Sequence, residues 1–119
     1  MYQIPKNLDL SKIIGQAISQ IHIGKYDFQF DLGDVHFAVQ SPIKLFKDKK
    51  VIALWQEGVW PEKGFIELFN LNVINFLIPD NYTIIIQFEE SLELHLYDNS
   101  DQYESMQITI KSESISWII

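Results

Sequence analysis

Cysteine is absent from the 119 residues, which rules out disulfides and thiolate metal sites. Arginine is absent as well, and all nine basic residues are lysine. Arginine is the usual bidentate reader of phosphate and guanine. Its loss, in a chain of net charge −7, argues against nucleic acid as a partner. The five glycines are scattered, so no loop is built to cradle a phosphate. There is no Gly-x-Ser-x-Gly elbow and no thiol nucleophile. No apolar run approaches the roughly 20 residues of a membrane span. The N-terminal "MYQIPKNLDLSK" has no basic segment followed by an apolar run, so it does not read as a signal peptide. The expectation is a cytoplasmic protein with no cofactor, no metal and no membrane contact.

What the chain does have is apolar mass and alternation. It is 47% hydrophobic and 13% aromatic, enough for one domain, 1–119, to bury a core without staples. "YDFQFDLGDVHFAV", Tyr26 to Val39, alternates apolar and polar residues around Gly33-Asp34. "YTIIIQFEESLELHL", Tyr82 to Leu96, does so around Glu89-Glu90-Ser91. Alternation of this kind marks half-buried strands joined by turns.

A longer correspondence surrounds these segments. Leu10, Ile13 and Ile14 have helical spacing, and Gly15 stands where a left-handed residue would end the helix. Ser11 or Asp9 is placed to cap it. Some 55 residues later, Phe65, Leu68 and Phe69 repeat the spacing, and Asn70 takes the place of Gly15. Pro61 suits the first turn of that second helix. "VINFLI" then matches "ISQIHI", and Tyr82 falls on Tyr26. Ile84, Ile86 and Phe88 fall on Phe28, Phe30 and Leu32, and Leu92, Leu94 and Leu96 on Val35, Phe37 and Val39. The expected fold class is α+β and mainly antiparallel β. It has two helix-plus-three-strand meander repeats, about 8–41 and 62–98, packed as a sandwich or partly open barrel. Between them, "KLFKDKK" reads as a basic turn and "VIALWQ" as a strand. "MQITIK" and "SISWI" supply C-terminal strands within 106–118.

Few residues invite chemistry. His22, His36 and His95 point away from the apolar face, and their spacing fits no compact zinc motif. Asp31 falls opposite His36 across the Gly33-Asp34 turn, a pair worth about 0.2–1 kcal/mol. "DNSDQYE", Asp98 to Glu104, has the oxygens of a calcium loop but lacks its turn glycine and the glutamate at loop position twelve. Capping of a helical turn by Ser100 or Asp101 accounts for the same residues. Ile84-Ile85-Ile86 is apolar on both faces, so its strand is either covered twice or part of an association surface. Trp55 belongs to a strand. Trp60 precedes Pro61 in a loop, as a lid over the core or as a binding anchor.

Charge is distributed unevenly. Residues 1–60 carry seven lysines against six acids, and residues 61–119 two lysines against ten acids, a net of −8. Such a field keeps a protein soluble and also steers a basic partner.

"IGQAISQIHIGKYDFQF" and "YDNSDQYESMQI" resemble segments of small bacterial β-rich proteins of unassigned function. Some of those act as immunity proteins beside contact-dependent or polymorphic toxins. The resemblance implies a non-enzymatic protein that binds and neutralises one cognate toxin domain, with a basic nuclease-type toxin as the expected partner. On the charge pattern, the expected partner-binding residues are Glu89, Glu90, Glu93, Asp98, Asp101 and Glu104, with Trp60 as an aromatic anchor. The alternative is a structural or regulatory protein that homodimerises through exposed strand surface.

Overall fold

The computed structural model of the protein describes residues 3–5, 7–58, 62–99 and 105–119. Alternation becomes ten strands: β1 (Ile21–Ile23), β2 (Phe28–Leu32), β3 (Val35–Val39), β4 (Ile43–Lys47), β5 (Lys50–Trp55), β6 (Val73–Asp80), β7 (Thr83–Phe88), β8 (Leu92–Tyr97), β9 (Met106–Ile110) and β10 (Ile115–Ile118). They form two five-stranded sheets, ordered β1-β2-β3-β9-β10 and β5-β4-β8-β7-β6. Every pairing within them is antiparallel. The architecture is a two-sheet sandwich, not a closed barrel. Among the described residues no helix is long and apolar enough to cross a membrane.

One face of each sheet lines a common core. From the first sheet come Phe28, Phe30, Phe37 and Ile108; from the second, Leu45, Trp55, Ile86 and Leu94, all buried. Phe28 meets Trp55 edge-on across the gap at 5.9 Å, and meets Phe65 at 5.0 Å. The Trp55 indole N–H also donates to the carbonyl of Gly24, in the turn between β1 and β2, at 3.2 Å.

Two expectations require correction. The predicted helices at Leu8–Ile14 and Glu62–Phe69 are 3-10 segments, Ser11–Ile13 and Lys63–Leu68. A helix this short gains little from α-type bonding. Spacing of i, i+3 also puts Leu10 with Ile13, and Phe65 with Leu68, on one side of a three-residue turn. All four are buried. The left-handed endings are present, at Gly15 (φ 84°) and Asn70 (φ 69°). Asp9 accepts the Ser11 backbone N–H at 2.9 Å. Pro61 lies outside the described residues.

The helix-plus-three-strand repeat is not supported. "AISQIHI" supplies only the short β1, with isolated bridges at Ala17 and Ile18 before it. Tyr26 precedes β2 and is exposed. "KLFKDKK" is not simply a turn, because its first half completes strand β4. Neither meander forms a sheet alone. β3 takes the late hairpin β9–β10, and β8 takes the early hairpin β4–β5. The narrower finding concerns register: Phe28 pairs with Val39 in one meander and Ile84 with Leu96 in the other.

Candidate functional site

β8 reads "LELHLY". Leu92, Leu94 and Leu96 turn into the core, so Glu93, His95 and Tyr97 turn to the outer face of the second sheet. Register places Lys44 opposite His95 and Phe46 opposite Glu93 on one side. Ile85 and Gln87 face the same residues on the other. The side chains lock together. Phe46 packs against the His95 ring, tilted by 37° with centres 4.3 Å apart, and Lys44 Nζ lies 5.9 Å from the Tyr97 ring centre.

A hydrogen-bond chain runs along the strand. The Tyr97 hydroxyl lies 3.2 Å from His95 Nδ1, and His95 Nε2 lies 3.1 Å from Glu93 Oε1. Gln87 Nε2 donates to Glu93 Oε2 at 3.0 Å. With the imidazole neutral and its proton on Nε2, every donor in the chain has an acceptor. The Gln87 amide, followed by His95, holds the Glu93 carboxyl below the ordinary glutamate value. Burial raises the Tyr97 hydroxyl.

A lowered carboxylate pKa stabilises the fold above the unfolded value, and that stability is lost as pH falls through the folded value. Glu93→Gln is therefore expected to be less stable than the parent at pH 6. The gap should close as pH falls below about 4, under the ordinary glutamate value. Urea midpoints across that range measure it; a gap independent of pH would show that the carboxylate charge is not what matters.

At the end of this face the β4–β5 and β7–β8 turns lie side by side, joined by Asp48 N–H donating to the Ser91 carbonyl at 3.1 Å. Asp48, Lys49, Glu90 and Ser91 all have positive φ, from 51° to 67°. They line an open cleft of about 510 Å³ with Ile74, Glu89 and Glu93. Glu89 accepts the Asn72 backbone N–H at 2.8 Å.

The structure thus brings three expected residues together: Glu89, Glu90 and Glu93 share the cleft. Asp98 does not join them. It is 5% exposed, and Ser105 Oγ donates to its Oδ1 at 2.6 Å, so its carboxylate faces inward rather than toward a partner. Asp101, Glu104 and Trp60 lie outside the described residues. Phe46, His95 and Tyr97 were missed as a group. Phe46 was hidden in an apparent basic turn, and a histidine between a glutamate and a tyrosine at two-residue spacing was the available signal.

The outer face of the first sheet is more polar. Asp31 pairs with His36 as expected, at 2.6 Å to Nδ1. His36 Nε2 lies 3.2 Å from Gln29 Oε1, and Gln29 Nε2 donates to Asp27. Thr109 and Ser116 continue the row. Among the described residues no three or more His, Asp and Glu side chains are grouped to hold a metal ion. Compared with models of protein families, with curated proteins and with solved structures, the chain matches none.

Proposed function

We propose that this chain is a non-enzymatic immunity protein that acts in the cytoplasm, binding and neutralising a cognate, basic, nuclease-type toxin domain. The observation that carries this reading is the convergence of Glu89, Glu90 and Glu93 on one open cleft, in the half of the chain that bears a net charge of −8. Of the three, Glu90 stands on the exposed turn, and Glu93 is held by Gln87 and His95. A carboxylate already held in place loses little conformational freedom when a cationic partner arrives.

The test begins with the upstream open reading frame: a large secreted protein encoded there supplies, in its C-terminal domain, the partner for binding and for protection of cells that express it. Glu89→Lys with Glu90→Lys is expected to slow association roughly tenfold or more at low salt and to flatten its salt dependence. Both residues are exposed, but Glu89→Lys also removes the acceptor of the Asn72 N–H, a loss of about 1 kcal/mol that a urea titration reads separately from binding. Reversal of lysines in the Lys44–Lys50 segment should do less harm. Full protection by the glutamate double variant, with failure of the lysine variant, would move the interface to the other hairpin. The second reading, a homodimeric structural or regulatory protein, is favoured by the apolar character of the outer face of the second sheet.

A further inference from the structure

The outer face of the second sheet carries more apolar surface than a solvent-facing sheet needs. Its register forms a band across all five strands. Val51 adjoins Phe46, Phe46 packs on His95, His95 pairs with Ile85, and Ile85 pairs with Leu77. Val51 is 51% exposed and Leu77 41%; Phe46, Ile85 and Tyr97 are half-buried. The matching rows on the first sheet are His22, Gln29, Ala38, Gln107 and Ile118, and Asp31, His36, Thr109 and Ser116; Ile118, 49% exposed at the sheet edge, is the large apolar side chain in them.

We propose that this face packs against the same face of a second copy of the chain. The first argument is polar satisfaction. Glu93, His95 and Tyr97 already bond to one another and to Gln87. An apolar partner can therefore cover them without stranding a donor or acceptor, which would be costly. A second copy presents such a surface, with its own polar groups satisfied in the same way.

The second argument is charge. Lys44 and Lys49 lie on the β4–β5 side of the face, and Glu89 and Glu90 on the β7–β8 side. Consider two copies face to face, related by a two-fold axis parallel to the strands. Left and right exchange, so each basic border lies over the other copy's acidic border. An axis across the strands would send the two turns to opposite ends of the contact, where Lys49 meets neither Glu89 nor Glu90 of the other copy. The face is self-complementary in one of the two orientations, as an isologous contact requires.

Size sets the expected strength. Five strands at about 4.8 Å spacing, each some 18 Å long, give a flat footprint of roughly 430 Å². That is below the roughly 800 Å² per partner of a standard stable interface. The dimer is therefore expected to be weak and transient. It involves no toxin, although it shares Glu89 and Glu90 with the surface proposed above.

Analytical ultracentrifugation of the full chain, from about 1 to 300 µM, tests it. The expected result is a monomer–dimer equilibrium. Ile85→Lys should weaken it at least tenfold, and Gln107→Lys, on the first sheet, less than twofold. The charge-swap pair keeps the test independent of any one variant. Lys44→Glu with Lys49→Glu, and Glu89→Lys with Glu90→Lys, should each self-associate poorly, and an equimolar mixture should form heterodimers. A parent that stays monomeric throughout overturns the proposal, even if it binds a toxin through this face. So does a dimer that Gln107→Lys weakens as much as Ile85→Lys, or a swap pair that does not associate.

Discussion

Replacing Trp55 with alanine is expected to cost about 4 kcal/mol of stability, within the 3–5 kcal/mol typical of a large buried aromatic. Trp55 is fully buried at the end of β5. Its ring packs edge-on against Phe28 of the opposite sheet, and its indole N–H satisfies the Gly24 carbonyl. Truncation removes the apolar contact, leaves a cavity between the sheets and leaves Gly24 without that donor. Trp55→Phe separates these effects. It keeps most of the ring and loses the hydrogen bond, so about 1–2 kcal/mol is expected. Denaturant titration of both variants measures the difference. Because Trp55 pairs with Ile43 of β4, the loss also loosens the hairpin that carries Lys44 and Phe46. A cost under about 2 kcal/mol for the alanine variant would show that the site collapses around the gap, or that the indole does not join the two sheets.

The strands of both meanders were legible because alternation is a local signal and each turn sits where the alternation pauses. Asp31 opposite His36 followed from a two-residue turn over Gly33-Asp34. The exchange of hairpins was not legible. That β4–β5 joins the later meander, and β9–β10 the earlier, is decided by pairings between residues such as Leu45 and Leu94 that lie far apart in the chain. No spacing rule records them. The 3-10 segments were read as helices because Leu10 and Ile13 share a face in either geometry. Asp98 was misplaced for a different reason. An aspartate in a polar run reads as exposed, whereas the fold buries it, with Ser105, seven residues on, donating to one of its two carboxylate oxygens. Glu89, Glu90 and Glu93 come together because they share the β7–β8 turn, a proximity that chain order alone gives. The aromatic and histidine side chains beside them were not legible, since their proximity depends on β4 pairing with β8.

Gly64→Ala should cost about 3 kcal/mol, the upper part of the range for forcing atoms into a packed site, although one methyl group is a small change. Gly64 lies in the 3-10 segment that packs on β5. A Cβ there would stand 2.6 Å from the Ile52 carbonyl oxygen and 2.9 Å from Ala53 Cβ. The first obstacle is backbone, which cannot rotate aside. Ile52 also lies beside the irregularity in the β4–β5 ladder, where Leu45 pairs with Ala53 but Phe46 with Val51. The 3-10 segment is tied to the same strand by Glu62, whose carboxylate accepts the Leu54 N–H at 2.6 Å. Moving the segment outward would strain that bond and draw Phe65 from its contact with Phe28. Gly15 is the contrasting case. A Cβ there meets nothing within 4 Å, and the cost comes from its φ of 84°. Gly15→Ala should lose only about 1 kcal/mol, and Gly15→Asn less, since asparagine tolerates the left-handed region. Urea midpoints at unchanged slope give the order directly. If Gly64→Ala proved no worse than Gly15→Ala, the 3-10 segment would have room to move on β5, and the close approach that requires glycine at position 64 would be wrong.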